Sequence, residues 1–398
     1  MVFLYANQPL YRHGDRYFAP TRNFVDFLAE LAARDATYRL VVPCRQVPDE
    51  ETVGLTELSL PDSVQEVSFY QGHLAALLKT PVQAFKIRAL LRRTGRQEGL
   101  VMGGPGPNSM LFWLSFLLPK GTLFAFFIRG DTVETVRHIF QDRWWGAFPV
   151  AITAMFQRRI FSLLAQDRAT VFAFGEALEG KYRAHGTAVH RISPLIDESA
   201  LRETSRSPIP VGRPLTLLFV GRLSAEKGLD ELVASLAYLR DRGIEVRLEI
   251  AGEGELKDPL RDRARDLGVA DWLAFHGHVA PGPPLWGLYD RCDLLCLPSR
   301  TEGTPRVVVE AFAREMPVLA TRVGSLPNMF PKALIFAREG TPEALAEEIA
   351  WCDGHRDRLT ELGRKGRGGV DRFLLSRNAE YVDEVLKALP AGSGEPIG

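Results

Sequence analysis

The chain has 398 residues, 46% of them apolar and 25% charged, the balance of a folded globular protein with room for two domains. Its formal charge is zero, so it carries no basic footprint for a polyanion and argues against nucleic acid as a partner. The four cysteines, Cys44, Cys292, Cys296 and Cys352, fit neither a disulfide framework nor a zinc pattern, and a reducing cytoplasm suits them.

The opening MVFLYANQPLY lacks a basic leader and reads as a first strand at residues 2–6 rather than a signal peptide. Further strands at 39–42, 100–103, 123–128 and 171–174 alternate with helical patterns. Between them Lys86, Arg88, Arg92, Arg93 and Arg96 surround Ile87, Leu90 and Leu91. That run is an ordinary solvated helix face, or else a peripheral contact between the first domain and an anionic membrane or lipid-linked acceptor. GGPGPNS at 103–109 mimics a dinucleotide fingerprint, but its prolines remove N–H donors and it closes on neither Gly nor Ala, so it reads as a cleft-edge loop. The apolar stretch 110–128 is broken by Pro119, Lys120 and Gly121, which makes it a buried helix and a strand rather than a membrane span. Trp144 and Trp145 are either core or a platform on which an acceptor stacks.

At 205–214, SRSPIPVGRP has the Pro, Ser and Gly content of a linker, and a second β/α array follows it. Its strands fall at 215–220, 247–251, 273–275, 294–297 and 318–320. Two successive arrays imply an α/β chain of two Rossmann-like doubly wound domains facing across a cleft. The boundaries read as 1–207, 208–375, and 376–398 for a helix that crosses back to the first domain plus a loose tail, AGSGEPIG.

Chemistry concentrates in DLLCLPSRTEGTPRVVVEAFA, residues 293–313: a buried strand, a tight loop, then a helix. Cys292 and Cys296 read as core positions of that strand. Thr304 and Pro305 are a helix start, with the hydroxyl as N-cap and proline as first helical residue. Gly303 lets a ligand approach the backbone, and the amides of Gly303 to Arg306 present a phosphate site. Glu302 and Glu310, eight positions apart, would then be hydroxyl acceptors for a sugar and a ribose. Upstream, LTLLFVGRLSAEKGLDELVASLAYLR is a strand turned by Gly221 into a helix, with Arg222 and Lys227 at the crossing. A cation at the positive end of a helix calls for an anion, and these two suit a diphosphate leaving group.

These blocks, together with IAGEGE and FHGHV, resemble the retaining glycosyltransferases of family 4, which have the GT-B fold. The resemblance implies that Glu302 contacts donor sugar hydroxyls, Glu310 the ribose, and Arg222 and Lys227 the diphosphate. It places His278 and Val279 at the nucleotide base, largely through backbone. Gly14 falls where the family has a glycine pair near the donor phosphate, although this chain has one glycine followed by Asp15. Where the family often has a histidine, after the strand at 123–128, stand Arg129, Gly130 and Asp131. Arg129 or Asp131 would face sugar or acceptor, unless Asp131 merely caps a helix.

The implied partners are a nucleotide-sugar donor and an acceptor hydroxyl, with no divalent metal and no other cofactor. His276 and His278 bracket Gly277 without a third ligand, so no metal is assigned there either. A sugar-nucleotide epimerase, a phosphorylase and a silent scaffold subunit are the alternatives. The last would have lost the charged residues that this chain keeps.

Overall fold

The computed structural model describes residues 2–6, 8, 10–19, 23–52, 55–61, 64–68, 85, 99–103, 123–140, 143, 146–193 and 196–389. The chain divides into two compact units, 1–193 with 375–398, and 194–374. The basic run at 86–96, the loop at 104–109, the segment 110–122, Trp144, Trp145 and the tail 391–398 lie outside the described residues.

In the first unit the strands are β1 (Val2–Tyr5), β2 (Leu10–His13), β3 (Arg16–Ala19), β4 (Tyr38–Gln46), β5 (Thr56–Leu58), β6 (Val64–Ser68), β7 (Gly99–Gly103), β8 (Leu123–Ile128), β9 (Ala169–Phe174) and β10 (Val189–Ile192). Among the described residues they form one sheet in the order β10-β9-β8-β7-β1-β4-β2-β3-β5, with β6 also on β4. The chain crosses over between β1 and β7, the reversal of a doubly wound sheet. Helices α1 (Asn23–Ala33), α2 (Thr132–Phe140), α3 (Ala147–Leu164) and α4 (Glu176–Arg183) connect strands of this sheet. The segment after β1 is a β-hairpin: β2 pairs antiparallel with β3, and Gly14, at φ +59°, opens the two-residue turn. Short strands that carry no long apolar run, such as β2 and β5, escape a periodicity reading.

The second unit holds β11 (Leu215–Val220), β12 (Val246–Ala251), β13 (Leu273–Gly277), β14 (Leu294–Leu297), β15 (Val318–Thr321) and β16 (Ile335–Ala337). They run parallel in the order β13-β12-β11-β14-β15-β16. Around them lie α5 (Leu229–Asp241), α6 (Lys257–Asp266), α7 (Pro283–Arg291), α8 (Arg306–Ala313), α9 (Leu326–Met329), α10 (Pro342–Gly354) and α11 (Arg356–Arg367). Both faces of the sheet are covered, and strand alternation assigns its side chains to two cores. Leu218, Leu295 and Leu297 join α7 and α8 in one core, whereas Leu217, Phe219, Leu294 and Cys296 join α5 and α10 in the other. Cys292 and Cys296 are both buried in the core as read, but Cys292 caps the C-terminus of α7 rather than lying on β14.

The helix α12 (Leu375–Ala388) returns to the first unit, where the Tyr38 hydroxyl donates to Asp383 at 2.7 Å and Arg34 donates to the Ser376 carbonyl at 3.0 Å.

The proline-rich stretch at 205–214 is not a free linker. Ile196 and Ala200 already belong to a core of the second unit, so the crossing precedes it. Arg206 is 6% exposed and donates to the carbonyls of Tyr289 (2.8 Å) and Cys292, closing the C-terminus of α7. Arg213 grips Asp293 with two bonds of 2.7 Å, and Arg356 donates to the carbonyls of Pro210 and Arg213. Arginine and proline content alone does not distinguish a tether from a strap whose cations are buried against carbonyls. Arg206→Ala strips charged donors from two buried carbonyls and should cost about 2–3 kcal/mol. A urea titration reads this as a lower midpoint with an unchanged slope.

Candidate functional site

The strand order of the second unit reverses between β11 and β14, and ligands of such sheets bind outside the carboxyl ends at that point. The loop leaving β11 carries Gly221, Arg222 and Lys227; the loop leaving β14 carries Ser299, Glu302, Gly303 and Thr304. A close approach fastens the two loops. Gly228, at φ +68°, sits so near β14 that a Cβ would lie 2.1 Å from the Pro298 carbonyl oxygen. The Arg300 amide donates to the Glu226 carbonyl at 2.9 Å, and the Arg300 side chain reaches Glu231.

That seam brings the first sequence-predicted pair together. Lys227 Nζ lies 2.7 Å from Glu302 Oε1, and the Ser299 hydroxyl donates to the same oxygen at 2.6 Å. The Glu302 side chain is 7% exposed. Its backbone is pinned by the next loop, where a Cβ on Gly324, at φ +55°, would lie 1.8 Å from the Glu302 carbonyl oxygen. Ser325 donates to the Gly303 carbonyl from its hydroxyl. Gly303 itself is different: a Cβ there would meet nothing within 4 Å, so packing of the chain does not demand glycine.

The helix start differs by one residue from the reading above. Pro305, at φ −70° and ψ 113°, is extended and serves as N-cap, and α8 begins at Arg306. Thr304 therefore stands outside the helix and does not cap it, because Pro305 has taken the non-helical position. Glu310, one turn in, is buried at 4% exposure. Tyr289 of α7 donates its hydroxyl to Glu310 Oε2 at 3.0 Å, and Arg306 Nε stands 2.8 Å from Oε1. Burial pushes the Glu310 carboxyl above the ordinary carboxylate range, and Arg306 and Tyr289 pull it back.

Gly221, Arg222, His278, Val279, Arg306 and Glu310 line one cavity of about 420 Å³, which apolar Val220, Leu285 and Val307 complete. Glu253 also lines it and pairs with Lys257 at 2.9 Å. Lys227, Glu302, Gly303, Thr304 and Pro305 are not lining residues of this cavity; they form the neighbouring loop seam. His276 turns instead to Glu249 on β12.

In the first unit, Gly14 occupies the hairpin turn. The Arg129 guanidinium lies over the Phe24 ring, 4.6 Å from its centroid. Asp131 does cap α2, accepting from the Glu134 amide at 3.4 Å, and its other oxygen pairs with Lys181 at 2.7 Å. Sequence reasoning missed Ser299, Tyr289, Gly324 and Lys181. Each is an ordinary residue whose partner is named only by the fold, although the serine beside the glutamate loop was within reach.

Residues 202–367 match the family described as glycosyl transferases group 1. That match covers most of the second unit, 194–374. Over 207 residues the chain is 31% identical to the GDP-mannose-dependent alpha-(1-6)-phosphatidylinositol monomannoside mannosyltransferase of Mycobacterium tuberculosis, covering 50% of this chain and 53% of that protein. It is 36% identical over 229 residues to the D-inositol 3-phosphate glycosyltransferase of Corynebacterium jeikeium, covering 54% of each. The chain thus spans about half the length of the curated relatives it matches. The sucrose-phosphate synthase of Thermosynechococcus elongatus superposes with a TM-score of 0.67 at 18% identity, over 98% of this chain and 99% of that one. With the mainly parallel sheet of the first unit and the parallel sheet of the second, that likeness makes the fold GT-B, two Rossmann-like domains. Among the described residues no helix is long and apolar enough to cross a membrane.

The Lys227–Glu302 pair can be tested without a ligand. Lys227→Met leaves the Glu302 carboxylate buried without its cation, so it should destabilise more than Lys227→Met with Glu302→Gln. A double-mutant cycle by urea denaturation should return a coupling of about 1–2 kcal/mol.

Proposed function

We propose that this chain is a retaining glycosyltransferase that moves a sugar from a nucleotide-diphosphate donor to an acceptor hydroxyl. The observation that carries the reading is the juxtaposition at the β11–β14 switch point. Two loops there supply a cation on an acid, Lys227 on Glu302, beside a cavity lined by Arg222, Arg306 and Glu310. Negative charge grows on the leaving diphosphate as the anomeric bond breaks. Arg222, Lys227 and the amides at the start of α8 would meet it with preorganised positive charge. These groups are assigned the task that a divalent metal performs elsewhere, and no metal or other cofactor enters the proposal.

Glu302 would orient the sugar. Ser299 and Lys227 both bind its Oε1, which leaves the second oxygen to accept from a sugar hydroxyl. Glu310 would accept from the ribose, and His278 and Val279 would line the base end of the cavity. Gly303, with open space where a side chain would be, would lie against the donor. In the front-face route to retention the departing phosphate oxygen takes the acceptor's proton as the new glycosidic bond forms. Arg129 and Asp131, at the carboxyl end of β8, are assigned to sugar or acceptor, and Gly14 to the donor side. The mannose and inositol phosphate named for the relatives mark the class of donor and acceptor to try first.

A thermal-shift screen of nucleotide sugars should find a donor, because specific binding stabilises by mass action. With that donor, Glu302→Gln should lower turnover by about 100-fold or more while changing the nucleoside diphosphate Kd little, and Arg222→Ala should do comparable damage to kcat/KM. Glu310→Gln should act mainly on Kd, measured by isothermal titration. Loss of nucleotide binding in Glu302→Gln with none in Glu310→Gln would reverse the two roles, and near-normal turnover in Arg222→Ala would remove the diphosphate assignment.

A further inference from the structure

Both oxygens of Glu310 are already taken within the chain, a fact that sits awkwardly with a simple ribose acceptor. Oε2 is held by the Tyr289 hydroxyl at 3.0 Å, and Tyr289 is itself fully buried. Oε1 faces Arg306 Nε at 2.8 Å. The two contacts are not alike. Tyr289 makes a proper hydrogen bond from a rigid core position. Arg306 Nε is buried yet makes no hydrogen bond, so its 2.8 Å approach is an ion pair without alignment. Buried N–H groups left unsatisfied are rare and costly, and one at a cavity wall calls for an explanation.

Arg306 is misplaced in a second respect. It is the first residue of α8, where the helix dipole is positive and a cation is disfavoured. Its side chain is 28% exposed against 5% for Glu310, so the guanidinium has freedom that the carboxylate lacks. It lines the same cavity as Arg222, and the cavity's other charged lining residue besides Glu310 is Glu253, already neutralised by Lys257. An anion arriving beside Arg222 would offer Arg306 both a well-aligned acceptor and relief from the dipole.

We propose that Arg306 is an exchange cation: when the donor binds, its guanidinium passes from Glu310 to the diphosphate and releases Glu310 Oε1 to the ribose hydroxyls. The inference rests on the donor reading above and adds a coupling within that site. A nucleoside without phosphates must compete with Arg306 for Oε1. A nucleoside diphosphate removes that competitor as it binds. Phosphate and ribose recognition are then linked, each strengthening the other through one side chain, and the linkage is reciprocal. The consequence is selectivity for the intact nucleoside diphosphate over nucleosides and free phosphate.

Isothermal titration of guanosine, uridine and their 5′-mono- and diphosphates against the full chain tests this, in the wild type, Arg306→Gln and Arg306→Lys. For the base that binds, the wild type should show a large affinity step from nucleoside to diphosphate. Arg306→Gln should shrink that step by about tenfold or more, a typical allosteric coupling, with nucleoside affinity unchanged or improved. Arg306→Lys, which keeps the charge without the fork, should fall between. Equal loss of nucleoside and diphosphate affinity in Arg306→Gln would mean that Arg306 only props Glu310, and the exchange is wrong. An unchanged step would overturn it equally. Should Arg306→Gln fail to fold by circular dichroism, Arg306→Lys decides alone: a smaller step supports the exchange, and parallel losses sink it. If no nucleotide binds the wild type, the donor reading fails and this inference with it.

Discussion

The second unit depends on one close approach, the seating of Gly228 on the Pro298 carbonyl at the carboxyl ends of β11 and β14. Only a residue without a Cβ and tolerant of positive φ can stand there. The contact decides where Lys227, one residue earlier, must be. With the backbone held, an ordinary lysine reaches Glu302 on a loop 75 residues further along the chain. Glu302 is then held from three sides: by Lys227, by Ser299, and by the Gly324 turn against its own carbonyl. A carboxylate so constrained loses little further freedom on meeting a ligand, which is how rigid scaffolds prepare a site before binding.

The two glutamates are supported by the same device from different elements. A buried hydroxyl, Ser299 for one and Tyr289 for the other, donates to one oxygen, and a cation completes the shell. The difference lies in alignment. Lys227 forms a hydrogen bond to Glu302, whereas Arg306 stands beside Glu310 without one. Tyr289 in turn belongs to α7, whose C-terminus is closed by Arg206. The strap at 205–214 therefore steadies the element that positions Glu310, at one remove from the cavity.

The first half of the chain was harder to read, for physical reasons. Its six-residue strands β8 and β9 are almost wholly apolar and are plain in the sequence, whereas β2, β3 and β5 are short and mixed and gain their stability from pairing with neighbours. Gly14 is legible as a turn residue, but a hairpin is distinguished from a ligand loop only by what its flanks pair with. Asp131 shows the same limit. Its capping of α2 follows from local chemistry, while its ion pair with Lys181, 50 residues away, does not.

What the sequence determined by itself was local or periodic: the alternating β/α arrays, the glutamates eight apart, the basic crossing after β11 and the glycines where the chain turns. Those features follow from side-chain period, cap chemistry and steric limits, all of which act within a few residues. The tertiary structure alone decided that Pro305 rather than Thr304 caps α8, that 205–214 is a strap, and which cation meets which acid. Those outcomes turn on ångström-scale contacts between segments far apart in the chain. No spacing along a sequence encodes them, because burial and alignment exist only once the sheet has ordered its strands.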